Sequence, residues 1–328
     1  MIKPPTTNPG FAQVFQPDHL TLGLMFPMAP LTDGVPDMSG QLDLARRADR
    51  QGFAALWSRD VPLFDPEFGD AGQIFDPWVW LSQVAAATKS ISLSTAGIVL
   101  PLRHPLHVAK AATSLDVISG GRFILGLASG DRPAEYPAFG LPADDRGARY
   151  RDGVATMRRV TEESYPAIDE HSSQMQGLNL LPKPTTGRLS MLAVGSAQQS
   201  VQWIARNMDG WVTYHRDLPD QAKRLSLWRT IVEQVSADRF LPVAQSMFID
   251  LTDNPDTTPS PIFLGYRLGR HRLIEHLLEL RTLGANHVLF NLRHSQRPAD
   301  EVIDELAQEV LPLFPTLNTH TRAAPRAA

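Results

Sequence analysis

Runs of apolar residues alternate with segments of helical periodicity along most of the chain. The clearest case is residues 91–131, where Ile91–Leu100 and Phe123–Ala128 are nearly continuous apolar and β-branched runs. Runs of this kind are typical of parallel strands that are buried on both faces. Between them, Pro105 fits the first turn of a helix, apolar residues recur at intervals near 3.6, and a Ser-Gly-Gly sequence at 119–121 ends the helix. The pattern therefore predicts one right-handed strand–helix–strand unit.

The same alternation continues along the chain and predicts eight strands, each followed by a helix, in an α/β fold. The predicted strands are Leu20–Met28, Phe53–Trp57, Ile91–Leu100, Phe123–Ala128, Leu189–Val194, Gly210–Tyr214, Ser246–Leu251 and His287–Leu292. The connections after the second, fourth and seventh strands are long and contain Pro or Gly. Because long loops in compact domains are more often functional than idle, we expect these insertions to surround a site.

Residues 91–130 also carry a family resemblance. The order of a strand, Pro-Leu-Arg-His-Pro, an Ala-rich helix, Leu-Asp-x-x-Ser-Gly-Gly-Arg-Phe and Leu-Gly-Leu-x-x-Gly resembles the bacterial-luciferase-like flavin monooxygenase family, which includes the deazaflavin (F420)-dependent dehydrogenases. The resemblance runs from about Leu20 to about Phe314 and implies a single (β/α)8 TIM barrel that holds its cofactor at the carboxyl ends of the strands. On this basis we expect an N-terminal arm at 1–19, a barrel at 20–315 and a disordered tail at 316–328.

Composition and charge narrow the class of protein. The chain has 328 residues, 43% of them hydrophobic and 20% charged, with a net charge of −4, which suits one barrel with insertions. Lys and Arg are dispersed, so no nucleic-acid partner is predicted. The absence of cysteine excludes disulfides, a thiolate nucleophile and Cys-ligated metal. With no apolar signal core and no run of about 18 apolar residues, we expect a cytoplasmic protein that does not associate with membranes.

Two short segments are candidates for binding a cofactor phosphate. In Gly195–Ala197, the glycine permits close approach, Ser196 can cap the next helix, and the N–H groups at that helix start carry partial positive charge. The alternative there is a simple capped junction. Ser129–Asp131 ends the fourth strand at the catalytic face. Related luciferases have an arginine at the position of Ser129, so phosphate binding here is expected to depend on backbone N–H groups or on Arg132.

The resemblance also locates the cofactor ring. Ala96-Gly97 matches a position where the family often has a non-proline cis peptide that supports the isoalloxazine ring, the alternative being an ordinary strand glycine. Methionines at the end of the first strand offer an apolar wall, although core packing explains them equally well. The predicted cofactor-binding residues are Met28, Ala96, Gly97, Ser129, Gly130, Asp131, Gly195, Ser196 and Ala197.

Acid–base candidates are sparse. Asp60 follows the second strand and His215 follows the sixth, both on the expected active face, and we take them as the catalytic candidates. Trp57 and Arg59 are predicted to bind substrate, with a structural role as the alternative. The luciferases have a histidine near position 60, and its absence here argues against light emission. The histidine spacings do not predict a metal site.

The first hypothesis for function is an FMN-dependent monooxygenase, as the resemblance implies. It would take reduced FMN from a separate flavin reductase and oxidise a small organic substrate with molecular oxygen. An F420-dependent hydride transferase is the nearest alternative, and a non-catalytic flavin-binding carrier or sensor is an alternative of another class. Because family members commonly pair through barrel helices, we expect a homodimer.

Overall fold

The computed structural model describes residues 8–30, 35–68, 71–170 and 173–317, and its main sheet closes on itself. The strands in chain order are Thr21–Met25 (β1), Ala55–Ser58 (β2), Ser92–Thr95 (β3), Ile98–Val99 (β4), Phe123–Ala128 (β5), Ile168–Glu170 (β6), Ser173–Met175 (β7), Met191–Val194 (β8), Trp211–Tyr214 (β9), Val243–Leu251 (β10), Ser260–Ile262 (β11), Gly265–Leu268 (β12) and His287–Asn291 (β13). Parallel pairing runs β1-β2-β3-β5-β8-β9-β10-β13 and back to β1, with β4 continuing β3 against β5. The predicted (β/α)8 barrel is confirmed.

Helices cover the outside of the barrel. The α-helices are Pro9–Val14 (α1), Gln41–Gln51 (α2), Pro77–Ala87 (α3), Pro105–Ile118 (α4), Glu135–Ala138 (α5), Arg146–Glu162 (α6), Val201–Asn207 (α7), Leu218–Val235 (α8), Arg270–Leu283 (α9) and Ala299–Glu305 (α10). A π-helical turn at Leu306–Val310 and a 3-10 turn at Leu311–Leu313 continue α10, and another 3-10 turn at Leu100–Leu102 precedes α4. None of the helices that the structure describes is both long and apolar enough to cross a membrane.

The third barrel strand is interrupted where the sequence predicts one continuous strand. The Ala96–Gly97 peptide is cis and separates β3 from β4. Thr95 lies against Gly126 of β5, with its Oγ1 accepting from the Gly126 N–H at 2.9 Å and donating to the Gly126 carbonyl at 2.8 Å. A Cβ on Gly126 would lie 1.9 Å from the Thr95 carbonyl oxygen, so only glycine permits this approach.

The amino-terminal mouth of the barrel is closed by the first helix. Phe11, Val14 and Phe15 are buried with interior residues of the strands, and Asn8 caps α1 by accepting from the Phe11 N–H. Gly10 packs so closely that a Cβ would lie 2.5 Å from the Arg122 carbonyl oxygen. The expected surface arm is therefore an interior plug over residues 8–15, whereas residues 17–19 are exposed; residues 1–7 of the expected arm and 318–328 of the expected tail lie outside the described residues.

The most specific motif of the sequence serves this same end of the barrel. Arg122 is buried and donates to the carbonyl oxygens of Ser119, Ile91 and Ala85 at 2.8–3.0 Å and to Thr88. Gly120 and Gly121 have φ of 68° and 81°, which lets the chain leave α4 at that point. The Ser-Gly-Gly-Arg motif thus joins α3, α4 and β5, far from the carboxyl ends of the strands.

Two inserted hairpins were not predicted. The segment before β8, read as irregular, contains the antiparallel pair β6 and β7, and the long connection after β10 contains β11 and β12. The second hairpin joins the main sheet because β12 pairs in parallel with the carboxyl-terminal part of β10, from Phe248 to Leu251. It therefore stands at the carboxyl-terminal end of the barrel.

Candidate active site

Two adjoining cavities open at the carboxyl-terminal end of the barrel. The first has a volume of about 220 Å³ and is bounded by Ala96–Gly97, Ser129–Arg132 and Gly195–Gln198. We call it the phosphate cavity, after the two segments predicted to bind a phosphate, and we call the second the ring cavity, after the predicted cofactor ring. The ring cavity, of about 330 Å³, is bounded mainly by interior residues of β1, β9, β10 and β13 and by the β11–β12 hairpin. The residues shared by both cavities are Arg59, Phe68, Ala96, Asp131, Val194 and Tyr214. The two cavities are thus two ends of one cleft.

The turn after β8, Gly195–Gln198, offers unused hydrogen-bond donors to the phosphate cavity. Its backbone is left-handed at Gly195, Ala197 and Gln198, with φ of 65°, 49° and 56°. Among the residues that the structure describes, none accepts a hydrogen bond from the N–H of Ser196, Ala197 or Gln198. Successive free N–H groups in a turn of this kind form an anion-binding concavity. We call this segment the anion turn.

The helix that the sequence placed directly after this turn begins later. α7 starts at Val201, and its cap is Ser200, whose Oγ accepts from the Trp203 N–H at 3.2 Å. The prediction that Ser196 caps the helix is wrong, because the chain makes a left-handed turn before the helix can begin. The donors at this site therefore belong to the turn itself and not to a helix start.

A longer helix lies beside the anion turn. The first turn of α6 contacts it, since Gln199 Nε2 donates to the Gly147 carbonyl at 2.8 Å and Arg151 donates to Gln199 Oε1 at 3.1 Å. No side chain caps α6, so its first N–H groups keep their partial positive charge. Both features make this end of the cleft favourable for an anion.

The predicted cis peptide borders both cavities. Gly97 is buried, and a Cβ there would lie 2.8 Å from Val194 Cγ2 and 3.0 Å from the Gly126 backbone. Beside it, Met25, Val194 and Val212 form an apolar wall of the ring cavity. This surface is suited to one face of a flat ring.

Two residues predicted for the site lie elsewhere. Met28 packs between the barrel and α2, where its N–H donates to Gln41 Oε1 at 2.7 Å, and Met25 takes the place expected for it in the cleft. Trp57 is fully buried inside the barrel and donates from Nε1 to His287 Nε2 at 3.0 Å. Its indole points towards the amino-terminal end, below the cavities.

Asp60 borders the phosphate cavity but is fully engaged. Its carboxylate accepts from the Val99 N–H at 3.0 Å and from Arg103 Nε and Nη2 at 2.9 and 2.7 Å. These contacts fix β4 and the start of α4 relative to β2. Arg59, next in the chain, is half-buried and borders both cavities, as a substrate-binding role requires.

His215 lies in the wall of the ring cavity with other polar side chains behind it. The side-chain amide of Gln245 contacts Nδ1 of His215 at 3.2 Å, and the rings of Tyr266 and His276 lie 4.9 and 5.8 Å away. Burial lowers the pKa of His215 to about 4, against the opposing influence of Asp217. The imidazole is therefore neutral at pH 7 and suited to accept a hydrogen bond, while its low pKa makes it a weak base.

Glu135 and Phe68 also line the cleft but were not predicted from the sequence. Glu135, at the start of α5, is buried in the wall of the phosphate cavity, where burial raises the pKa of its carboxyl against the opposing effect of Arg132. The Arg132 guanidinium is also buried and lies 4.5 Å from the centre of the Phe68 ring. No local signal in the sequence joins the loop after β2 to the loop after β5. Among the described residues no group of three or more His, Cys, Asp or Glu side chains could hold a metal ion.

Comparison with known proteins assigns this barrel to a family. The family model described as luciferase-like monooxygenase matches residues 20–262. The chain therefore belongs to the luciferase-like monooxygenase family, whose named members include monooxygenases and F420-dependent dehydrogenases.

The curated relatives are moderately similar. An uncharacterised protein of Mycobacterium tuberculosis is 31% identical over 53% of this chain and 67% of its own length. The F420-dependent hydroxymycolic acid dehydrogenase of the same species is 28% identical over 59% of this chain and 54% of its own length. The alkanal monooxygenase alpha chain of Photorhabdus luminescens is 23% identical over 61% and 55%. The matched part spans about half the length of the two named enzymes.

Solved structures share the fold. The monooxygenase RslO1 from Streptomyces bottropensis superposes with a TM-score of 0.74 at 19% identity, covering 90% of this chain and 99% of that one. An F420-dependent secondary alcohol dehydrogenase, solved with an F420-acetone adduct, gives a TM-score of 0.72 at 17% identity over 90% and 99%. At this level of identity the likeness concerns the barrel alone.

Proposed function

We propose that this protein is an FMN-dependent monooxygenase that uses reduced FMN delivered by a separate flavin reductase. The observation that carries the proposal is the anion turn with its three free N–H groups, set beside the apolar wall at Gly97 in one cleft. A phosphate at the turn and a flat ring against Met25 and Val194 match the two ends of this cleft. When bound, reduced flavin supplies the two electrons by which molecular oxygen gives one atom to the substrate and one to water.

The residues of the chain would bind and orient. The N–H groups of Ser196, Ala197 and Gln198 would hold the phosphate, with Arg132 as the nearest buried cation in the cavity wall. Ser129 and Gly130 would contact the cofactor between phosphate and ring. His215, neutral at pH 7, would accept a hydrogen bond from substrate at the far wall.

F420-dependent hydride transfer is the second candidate, favoured by a specific observation. Arg146, Arg149 and Arg151 project from the start of α6, which lies against the anion turn, and a polyanionic tail would need such a basic surface. Their present contacts weigh against it. Arg149 pairs with Asp145 at 2.7 Å, Arg151 donates to Gln199, and Arg146 donates to the Ala143 carbonyl at 2.8 Å.

Side-by-side titrations test the choice of cofactor. The apo protein, kept anaerobic, is expected to bind reduced FMN in the micromolar range or tighter and F420 at least about tenfold more weakly. Tighter binding of F420 would discard the monooxygenase and favour hydride transfer. Substrate oxidation with FMN, NADH and a flavin reductase then separates an enzyme from a carrier or sensor, which would bind FMN without turnover.

We also propose a homodimer formed through barrel helices. Val79, near the start of α3, is 71% exposed, and Ile74 and Phe75 just before that helix are 47% and 45% exposed. Covering such a group of apolar side chains favours association. Light scattering at micromolar concentration should give a mass twice that of one chain. Val79→Asp should lower the measured mass towards that of one chain. A monomeric wild-type protein would remove the proposal.

A further inference from the structure

Exposed aromatic side chains from three separate parts of the chain border the ring cavity. Phe68 belongs to the loop after β2, Tyr214 ends β9, and Phe263 lies between β11 and β12. They are 45%, 44% and 67% exposed. Single exposed aromatic residues are ordinary, but three that border one cavity form a binding surface.

Phe263 and its neighbours occupy the end of the cleft that is farthest from the anion turn. Phe248 and Phe263 border the ring cavity but not the phosphate cavity. The rings of Phe248 and Phe263 are 5.7 Å apart at 68°, and His294 lies 5.1 Å from Phe248 at 41°. We call Phe248 and Phe263 the aromatic wall, and the ring of His294 packs against both of them without lining the cavity. Tilted and edge-on rings of this kind interact well with a further aromatic ring.

The hairpin holds the aromatic wall in place. β12 pairs with β10 from Phe248 to Leu251, and Gly265 fits against β10 where a Cβ would lie 1.8 Å from the Phe248 carbonyl oxygen. The position of Phe263 is therefore set by sheet pairing one turn away. A preformed wall reduces the cost of ordering on binding.

Ser246 and Asn291 are neutral polar side chains of the ring cavity, and each has a donor that is only weakly engaged, whereas the charged side chains of Arg59, Asp131 and Arg216 also border this cavity. Ser246 Oγ donates to the Thr213 carbonyl at 3.5 Å, and Asn291 Nδ2 contacts Met25 Sδ at 3.4 Å. The Ser246 contact is long and a thioether sulfur is a weak acceptor, so an oxygen atom of a ligand could replace either contact at little cost. A ligand here would meet an aromatic surface on one side and neutral hydrogen-bonding groups on the other.

We propose that the substrate of this enzyme is an aromatic compound with a hydroxyl or carbonyl oxygen, bound with its ring against the aromatic wall and its oxygen towards Ser246 and Asn291. This rests on the proposed function, because it assigns the part of the cleft beside Gly97 to the flavin ring. An alkyl chain of equal size would gain apolar contact but not the directional ring contacts. The enzyme therefore selects aromatic over aliphatic substrates.

The test uses 2-naphthol as an aromatic probe and decanal as an aliphatic one, titrated by calorimetry into protein loaded with oxidised FMN. We expect the wild type to bind 2-naphthol at least about tenfold more tightly than decanal. Phe263→Ala should weaken the binding of 2-naphthol about tenfold. Phe263→Leu, which keeps the apolar area but loses the ring, should weaken 2-naphthol about fourfold. The matched control is Phe240→Ala, at a phenylalanine that is 40% exposed at the amino-terminal end of the barrel. This variant should bind both ligands with the affinity of the wild type.

The outcomes separate this proposal from the proposed function. Equal or tighter binding of decanal, or an unchanged 2-naphthol affinity in Phe263→Leu, overturns the aromatic substrate and leaves FMN binding intact. If Phe263→Ala weakens FMN as much as 2-naphthol, the aromatic wall belongs to the cofactor and the proposal is overturned. If the wild type binds neither oxidised nor reduced FMN, the proposed function fails. The same titrations on the apo protein then test the aromatic site without the cofactor. The site is supported only if 2-naphthol still binds to the wild type and binds more weakly to Phe263→Ala.

Discussion

Replacing Gly195 with valine is expected to weaken FMN binding by about a hundredfold, equal to about 2.7 kcal/mol. Gly195 has φ of 65°, a conformation that a β-branched residue rarely adopts, and its Cβ would point towards Tyr214 at 3.6 Å. The chain would relax by turning the anion turn away from its present geometry. Hydrogen bonds to a charged group contribute about 1.5–3 kcal/mol each, so the loss of one or two accounts for the effect. Fluorescence titration of FMN measures it.

The control for this variant is Gly177→Val. Gly177 has φ of 70°, and a Cβ there meets nothing within 4 Å, so the substitution carries the same backbone cost in open space after β7. Both variants should lose similar stability, while only Gly195→Val should lose FMN affinity. An FMN affinity in Gly195→Val that matches the control would show that the phosphate binds elsewhere.

The barrel was predictable from the sequence because parallel strands buried on both faces leave a strong local signal. Phe123–Ala128 is the same six residues in the prediction and in the structure. Pro105 likewise begins a helix as predicted, since the signal for a helix start depends on residues within one turn. The hairpin β11–β12 was missed because its strands have only three and four residues and leave no periodic pattern of apolar positions.

The sequence predicts where in the barrel the candidate site lies better than it predicts which side chains point into the site. Strand ends locate Gly97, Ser129 and Gly195 at one face, as parallel topology requires. The direction of a side chain depends on where a strand stops, and β1 stops at Met25, so Met28 leaves the barrel. Trp57 faces the interior as its strand predicts, but its contact with His287 is long-range and has no local signal. The motif that carries the resemblance most strongly supports the fold rather than the cleft, because Arg122 binds carbonyl groups at the other end.

His287 joins the plug and the interior of the barrel. Its Nε2 accepts from Trp57, and its Nδ1 lies 2.7 Å from the hydroxyl of Thr21, which in turn donates to the Val14 carbonyl at 2.8 Å. A bond accepted at Nε2 requires a neutral ring with its proton on Nδ1. Burial accordingly lowers the pKa of His287 to about 3, against the smaller raising effect of Thr21.

The lowered pKa of His287 makes the stability of the protein depend on pH. The native state keeps His287 neutral down to about pH 3, whereas the unfolded chain takes up that proton below about pH 6.5. Between these values the unfolded state binds one more proton than the native state. Stability therefore falls as the pH falls, by about 1.4 kcal/mol per pH unit from this residue. The lowered pKa values of His215 and His276, each about 4, act in the same direction.

His287→Gln should remove this contribution while keeping one donor and one acceptor for Thr21 and Trp57. The variant will be less stable than wild type at pH 7, but the difference in free energy of unfolding should narrow by about 2 kcal/mol between pH 6.0 and 4.5. Urea unfolding at several pH values measures it. His19→Gln, at an exposed histidine, is the control and should run parallel to wild type. A constant difference between His287→Gln and wild type would mean that His287 titrates alike in the native and unfolded states, contrary to its burial.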